Sequence, residues 1–169
     1  MPTDEVLLGL AEHLGRRLLA ARCRLATAES CSGGWIAKAV TDVPGSSKWF
    51  ECGYVVYSNA AKVRDLGVSE QMLQEHGAVS EAAVREMAAG ALRVSGAQIA
   101  VSVSGIAGPD GGSPDKPVGT VWFGLAIRRR GGTEVVAKLE LFPGDREAVR
   151  RRTVEHALQL VLGLELPTV

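Results

Sequence analysis

Short segments rich in β-branched residues alternate with amphipathic segments along this chain, and this alternation limits the folds that it can adopt. Five strands are predicted: RLATA (24–28), CGYVVYS (52–58), QIAVSVSG (98–105), TVWFGLAIR (120–128) and EVVAKLELF (134–142). The last two follow each other directly, with only the turn-like RRGGT between them. This order predicts a three-layer α/β/α sandwich on a mixed, mostly parallel sheet of those five strands.

Start and stop signals bound the predicted helices. Ser69 and Ser80 are N-cap candidates, and Gly77 and Gly96 end the helices that follow them. The predicted helices are about 4–22, about 33–41, a short segment containing Lys62, 70–76, 81–95, and a last helix after the N-cap candidate Asp145 that buries Val149, Val154, Leu158 and Leu162 or near neighbours.

Length, charge and hydropathy restrict the class of protein. With 169 residues the chain is expected to form a single domain, residues 1–169. Nineteen basic and 19 acidic side chains give a formal net charge of zero, so nothing favours nucleic acid or an anionic membrane surface as a partner. The sequence has neither a run of about 20 apolar residues nor a signal-peptide pattern, and we expect a cytoplasmic protein.

Cysteine and histidine usage argues against a metal centre. The three cysteines, Cys23, Cys31 and Cys52, form no CxxC pair, which fits a reducing compartment. The three histidines all fall on predicted helices. We therefore expect neither a metal nor another cofactor.

The segment TAESCSGG (27–34) places Ser30 at a turn between a strand and a helix. Backbone amides there, with those of Ser32 and Gly33 as the candidates, would stabilise an oxyanion if Ser30 is a nucleophile. Helix capping by serine explains the segment equally well. Glu29 is grouped with the candidate oxyanion- and substrate-binding residues, where it would order this turn or cap a backbone amide; the alternative is an exposed acid beside the site.

A serine nucleophile needs a base, and no histidine is a plausible candidate. The S-x-x-K spacing is also absent, because Gly33 stands three residues after Ser30. Lys62, in YSNAAK, is the best remaining base, since a neighbouring strand would bring it and Tyr57 to the same sheet edge. The alternative for Lys62 is an exposed surface lysine.

The glycine- and proline-rich loop SGIAGPDGGSPDKP (104–117) is the other motif of interest. Its backbone, with Ser104, Gly105 and Gly108, would hold a phosphate, although a flexible crossover explains it as well. Arg146, in FPGDR, is either an anion-binding residue or a tolerated surface charge in the first turn of the last helix.

In chain order, the segments TAESCSGG, GYVVYSNAAK, GAVSEAAVREMAAGAL, SVSGIAGPDGGSPDKPVGTVWFGLA and FPGDREAVR resemble the CinA C-terminal-domain family over about residues 5–163. The resemblance is to its stand-alone form, without the family's large N-terminal domain. It implies an α/β/α fold, homo-oligomers and metal-free hydrolysis of nicotinamide mononucleotide to nicotinate mononucleotide and ammonia, a step of pyridine nucleotide salvage.

The same resemblance implies a catalytic set of Ser30, Tyr57 and Lys62, and it makes Cys31 a packing residue. The loop and Arg146 would then grip the ribose phosphate. A second hypothesis is a non-catalytic nucleotide-binding or interaction module, since CinA-type domains also occur in proteins linked with DNA uptake and damage. Such a module has no need for these three side chains together.

Overall fold

A computed structural model of the chain describes residues 1–167, so the predicted domain 1–169 extends two residues beyond the described ones. A sheet of five strands carries helices on both faces. The strands are β1 (Leu25–Glu29), β2 (Phe50–Val55), β3 (Ile99–Gly105), β4 (Thr120–Arg129) and β5 (Gly132–Leu141). The helices are α1 (Asp4–Ala20), α2 (Trp35–Thr41), α3 (Asn59–Leu66), α4 (Glu70–His76), α5 (Glu81–Ser95) and α6 (Arg146–Leu162), with a 3₁₀ turn at Ser46–Lys48.

The strands lie in the order β2-β1-β3-β4-β5. Strand β1 runs parallel to both β2 and β3, whereas β4 runs antiparallel to both β3 and β5. The predicted α/β/α fold on a mixed sheet is therefore confirmed. Four of the five strands point in the same direction, as predicted. Because β4 runs opposite to its two neighbours, two of the four strand pairings are nevertheless antiparallel.

Two apolar cores lie on opposite faces of the sheet. Helices α1, α2 and α6 cover one face through side chains such as Leu14, Ile36 and Val149. Helices α3, α4 and α5 cover the other through side chains such as Leu66 and Met87. In the described part of the chain, no helix has the length and hydropathy needed to cross a membrane.

Several predicted boundaries differ from the observed ones by one to three residues, and those of α2 and β2 lie nearest the site. Helix α2 begins at Trp35 and not at Gly33, because Gly33 and Gly34 adopt left-handed φ angles of 63° and 93°. Strand β2 begins and ends earlier than predicted. Along α6, Val149, Val154 and Leu158 are buried as expected, and Val161 is buried in place of Leu162.

The parallel strands fix where chemistry can occur. Strands β1, β2 and β3 run in one direction, so their carboxyl ends meet at the same edge of the sheet. Three segments therefore converge there: 30–34 after β1, 56–62 after β2, and 104–112 at the end of β3 and beyond it.

Candidate active site

Ser30 is the first residue after β1, at the edge where the parallel strands end. Its amide donates to the carbonyl oxygen of Val103 on β3 at 3.1 Å, which continues the ladder by one residue. On the other side of β1, the Val56 amide donates to the Glu29 carbonyl oxygen at 2.9 Å. The peptide group that joins Glu29 to Ser30 is thus bonded on both sides, through its N–H to β3 and through its C=O to the residue that follows β2.

The side-chain amine of Lys62 is within hydrogen-bond distance of the Ser30 hydroxyl. Lys62 lies on α3 with only 1% of its surface exposed, and its Nζ is 3.2 Å from Ser30 Oγ. The same nitrogen donates to the carbonyl oxygens of Val56 and Tyr57, both at 3.0 Å. Burial lowers the pKa of Lys62, because the charged form loses its hydration.

Three oxygen atoms surround Lys62 Nζ, namely Ser30 Oγ and the carbonyl oxygens of Val56 and Tyr57, and they accept its three N–H bonds while the amine is charged. A neutral lysine has two N–H bonds and one lone pair. When Lys62 is neutral, the two carbonyl oxygens keep its N–H bonds, and the lone pair can accept the hydroxyl proton of Ser30. The arrangement can therefore remove a proton from Ser30, which is the task of a general base.

Tyr57 meets Lys62 through its backbone and not through its phenol. The side chain is 61% exposed, and its hydroxyl oxygen accepts a long hydrogen bond of 3.4 Å from Arg146 Nη2. Because Ser58 caps α3 directly afterwards, the Tyr57 carbonyl can face back toward Lys62. The phenol of Tyr57 thus faces solvent and Arg146.

Cys31 stands next to Ser30 in the chain but is shielded from solvent. Only 6% of its surface is exposed, and burial raises the pKa of its thiol to about 12. A thiol with that pKa stays protonated near neutral pH and is a poor nucleophile. This environment fits a packing role for Cys31.

The carboxylate of Glu29 lies beneath the turn and is fully buried. It accepts hydrogen bonds from the amides of Ile36 at 3.0 Å and Ala37 at 2.8 Å, and from Ser32 Oγ at 2.7 Å. Glu29 therefore supplies the cap at the start of α2, where Gly34 offers no side chain. Of the two interpretations of Glu29, the exposed acid is wrong and the ordering role is confirmed, because its side chain is turned into the protein.

The backbone amides of Ser32 and Gly33, the two predicted oxyanion donors, differ in whether they already have a hydrogen-bond partner. The Gly33 amide donates to the Ser30 carbonyl oxygen at 3.1 Å, which closes the turn. Its capacity to bind an oxyanion is correspondingly reduced. The Ser32 amide is the better candidate, while the Ser32 hydroxyl is committed to Glu29.

Arg150 is a residue of this site that the sequence analysis missed. From α6 its Nε donates to the Cys31 carbonyl oxygen at 3.2 Å and its Nη2 to the Ser32 carbonyl oxygen at 2.9 Å. The signal was present in the motif FPGDREAVR, since Arg150 follows Arg146 by one helical turn and shares its face of α6.

The residues predicted to bind phosphate do converge at this edge. Arg146 Nη1 donates to the Gly108 carbonyl oxygen at 2.7 Å, so Arg146 joins the loop to Tyr57. Ser104 is buried and stands one residue beyond Val103, the backbone partner of Ser30. Gly105 has a packing role, because a Cβ there would lie 2.7 Å from the Thr120 carbonyl oxygen.

Across residues 1–167, no group of three or more His, Cys, Asp and Glu side chains is placed to hold a metal ion. The functional groups of the site are a hydroxyl, an amine, backbone amides and two guanidinium groups. This set is suited to acyl transfer, in which a nucleophile, a base and oxyanion donors act together.

Comparison with known proteins shows one matching family model and several similar enzymes. A family model described as the CinA C-terminal domain matches residues 8–164. A nicotinamide-nucleotide amidohydrolase PncC from Escherichia coli strain K12 is 55% identical over 157 residues, covering 93% of each chain. An enzyme of the same name from Pseudomonas putida is 55% identical over 155 residues, covering 92% of this chain and 94% of its own.

The solved structures agree with the sequence comparison. A competence/damage inducible protein from Agrobacterium tumefaciens superposes with a TM-score of 0.88 at 39% identity, covering 96% of both chains. With a family model that spans most of the sequence and relatives at more than half identity, the chain belongs to the CinA C-terminal domain family.

Proposed function

We propose that the chain is an amidohydrolase that converts nicotinamide mononucleotide to nicotinate mononucleotide and ammonia, with Ser30 as nucleophile and Lys62 as base. One observation carries the proposal: a buried lysine nitrogen lies 3.2 Å from a serine hydroxyl at the end of a parallel strand. The names of its close relatives from Escherichia coli and Pseudomonas putida support the substrate.

In the first half of the reaction, Ser30 Oγ attacks the carboxamide carbon while Lys62 takes the hydroxyl proton. The carbonyl oxygen becomes an oxyanion, which the Ser32 amide stabilises. When the tetrahedral intermediate collapses, the C–N bond breaks and the Lys62 ammonium returns its proton to the departing nitrogen. Ammonia leaves, and an ester joins Ser30 to the nicotinate group.

In the second half, water attacks the ester carbon and gives a proton to Lys62, which is neutral again. Collapse of this second intermediate breaks the bond to Ser30 Oγ. Lys62 returns the proton to that oxygen, and the product departs as the acid, which loses its remaining proton to solvent and becomes the carboxylate. One lysine thus serves both halves, as its contacts with the carbonyl oxygens of Val56 and Tyr57 keep Nζ in one position.

Besides its amide, the substrate has two charged groups that the protein can bind, a phosphate and a pyridinium ring. Its phosphate would bind to Arg146 and to the loop 104–112, because a guanidinium forms strong charge-assisted bonds with phosphate oxygens. Its pyridinium ring carries a positive charge, and the exposed ring of Tyr57 offers a face for a cation–π contact. Arg146 and Tyr57 are in contact with each other through the hydrogen bond from the guanidinium to the Tyr57 hydroxyl.

The second hypothesis, a non-catalytic binding module, does not account for Lys62. Burying a lysine is unfavourable, and a module that only binds a nucleotide gains nothing by placing that lysine against a serine hydroxyl. A catalytic site gains a base whose pKa is lowered. We therefore favour catalysis, within pyridine nucleotide salvage.

Homo-oligomer formation stays a prediction from the family resemblance. Apolar side chains on both edge strands are at least half exposed, namely Val55 on β2 and Leu139 and Leu141 on β5. Light scattering on the purified protein measures the assembly directly. A mass equal to that of one chain at micromolar concentration would contradict the prediction.

The activity itself is tested by incubating the purified protein with nicotinamide mononucleotide and measuring ammonia together with the pyridine product. We expect equal amounts of ammonia and nicotinate mononucleotide. Release of free nicotinamide without ammonia would show cleavage of the glycosidic bond instead. Absence of any turnover would refute the proposed substrate.

A further inference from the structure

We propose that Arg150 is a positioning residue for the turn 30–34, which we call the nucleophile turn, and that it aims the Ser32 amide at the oxyanion. The inference rests on the proposed function in taking Ser30 as the nucleophile. Arg150 acts through the backbone, since its hydrogen bonds go to two carbonyl oxygens of the turn.

The nucleophile turn needs such a restraint. Gly33 and Gly34 both have left-handed φ angles, and glycine moves between backbone conformations more easily than any other residue. Glu29 fixes the far side of the turn, where α2 begins. Within the turn, the Gly33 amide bonds to the Ser30 carbonyl and the Trp35 amide to the Ser32 carbonyl, but the Cys31 carbonyl is held from outside by Arg150.

One guanidinium supplies this restraint. It spans two successive carbonyl oxygens, those of Cys31 and Ser32, at 3.2 and 2.9 Å. A trans peptide unit points its N–H opposite to its C=O. Since the Cys31 carbonyl points toward Arg150 on α6, the Ser32 amide of the same unit points away from α6.

The opposite direction is the one that catalysis requires. Helix α6 packs on one face of the sheet, whereas α3, which carries Lys62, packs on the other. Lys62 Nζ lies against Ser30 Oγ from the α3 side. The bonds from Arg150 therefore direct the Ser32 amide toward the side where the attacking oxygen and the base lie.

Trp35 holds the guanidinium in place. The Arg150 Cζ lies 5.2 Å from the centroid of the Trp35 ring, in cation–π contact. The neighbouring Arg151 also stacks on this ring, at 4.9 Å, but its hydrogen bonds go to Asp4 and Glu147. Arg151 is therefore a matched control that shares the ring and the charge but has no bond to the turn.

The experiment compares Arg150→Lys, Arg150→Ala and Arg151→Ala with the wild type. Lysine keeps the positive charge but presents a single nitrogen, which cannot reproduce a planar fork across two carbonyls. Two rates are measured: ammonia release from nicotinamide mononucleotide, and covalent labelling of Ser30 by a fluorophosphonate, located by peptide mass spectrometry. The labelling requires the nucleophile and the oxyanion donor but not the nucleotide.

Loss of a direct oxyanion donor lowers kcat by about a hundredfold to a thousandfold, so loss of its support should lower kcat by about tenfold to a hundredfold. We expect this loss in both Arg150 variants, with KM changed by less than about threefold. Labelling of Ser30 should slow in parallel. The midpoint of the pH profile should stay unchanged, because Lys62 keeps its contacts.

Several results would overturn the inference. If Arg150→Lys keeps the wild-type kcat and labelling rate, the two-carbonyl contact of the guanidinium is not needed. If Arg151→Ala lowers kcat as much as Arg150→Ala does, the loss comes from ring stacking or from charge and not from the bonds to the turn. A wild type that does not label would also contradict a positioned oxyanion site. If the wild type labels but releases no ammonia, the proposed substrate fails, while the labelling rates of the variants still decide the role of Arg150.

Discussion

Lys62 Nζ lies 3.2 Å from Ser30 Oγ although the two residues are 32 positions apart in the chain. The parallel pairing of β1 with β2 creates this proximity, because both strands end at one edge and the chain after β2 enters α3 at once. The nitrogen is enclosed by protein, and two backbone carbonyls hold it in place.

The burial of Lys62 has a consequence for stability. Its pKa is lowered from the usual 10.5 in the folded protein, so between the two values the unfolded chain binds the proton and the folded chain does not. In that window the free energy of unfolding rises with pH, with a slope approaching about 1.4 kcal/mol per pH unit from this group. Below the folded-state pKa both states are protonated, and the slope disappears.

Lys62→Met isolates this contribution, since it keeps the length of the side chain and removes the charge. Urea unfolding of both proteins at several pH values from about 7 to about 10 gives the comparison. We expect the difference in unfolding free energy, wild type minus variant, to increase with pH. A difference that stays constant across the range would show that the pKa of Lys62 is not lowered.

The same pKa governs the rate. Only the neutral amine accepts the Ser30 proton, so kcat should rise with pH and level off below pH 10.5, the usual pKa of lysine. The Lys62→Arg substitution should lower kcat by about a thousandfold or more, because a guanidinium stays protonated at these pH values. The measurement is kcat against pH. Substantial activity in Lys62→Arg, or a rate that falls as pH rises, would exclude lysine as the base.

Much of this site could be predicted from the sequence, because the periodic pattern of apolar and β-branched residues shows where the strands end. The strand pattern placed Ser30 and Lys62 after neighbouring strands, and the topology then brought them together. The resemblance supplied the catalytic roles, which remain predictions. The pattern could not show that the Tyr57 backbone, and not its phenol, contacts Lys62, because a turn residue can face either way.

The same limit applies to the residues around the nucleophile turn. TAESCSGG favours a serine cap as much as an active site, and only the three-dimensional contacts reveal that Glu29 caps α2. Arg150 lies one helical turn after Arg146, but that spacing does not reveal its partners, which are backbone carbonyls 118 and 119 residues away. The start of α2 was misplaced because two glycines in succession conceal which of them is still outside the helix.

Glu29 should be important for stability as well as for catalysis. Glu29→Gln removes a carboxylate oxygen that accepts hydrogen bonds from backbone amides inside the protein. We expect the free energy of unfolding to fall by about 1–3 kcal/mol. Glu81→Gln is the control, since Glu81 is half exposed, pairs with Arg85 on the surface, and should change stability by less than about 1 kcal/mol. Equal stability of the two variants would contradict the capping role.

Arg146 should discriminate between substrates with and without a phosphate. The wild type should prefer nicotinamide mononucleotide to nicotinamide riboside, with free nicotinamide the poorest. Arg146→Ala should lower kcat/KM for the mononucleotide by about tenfold to a hundredfold and leave the riboside rate nearly unchanged. Arg152→Ala removes the same charge from the same helix and serves as control.

The comparison requires kcat/KM for the three compounds with each protein. Equal efficiency of the wild type on riboside and mononucleotide would refute a phosphate anchor. If Arg146→Ala keeps the full preference, the phosphate binds to the loop 104–112 without Arg146, whose bond to the Gly108 carbonyl oxygen would then only shape that loop.

The identity of the nucleophile is the central claim, and two adjacent substitutions test it most directly. Ser30→Ala removes the hydroxyl next to Lys62, whereas Cys31→Ala removes a buried thiol whose pKa is raised to about 12. The measurement is kcat for ammonia release from nicotinamide mononucleotide, with circular dichroism to confirm that both variants fold. We expect Ser30→Ala to lose about a thousandfold or more and Cys31→Ala to keep most of its activity. An active Ser30→Ala together with an inactive Cys31→Ala would contradict the Ser30–Lys62 mechanism.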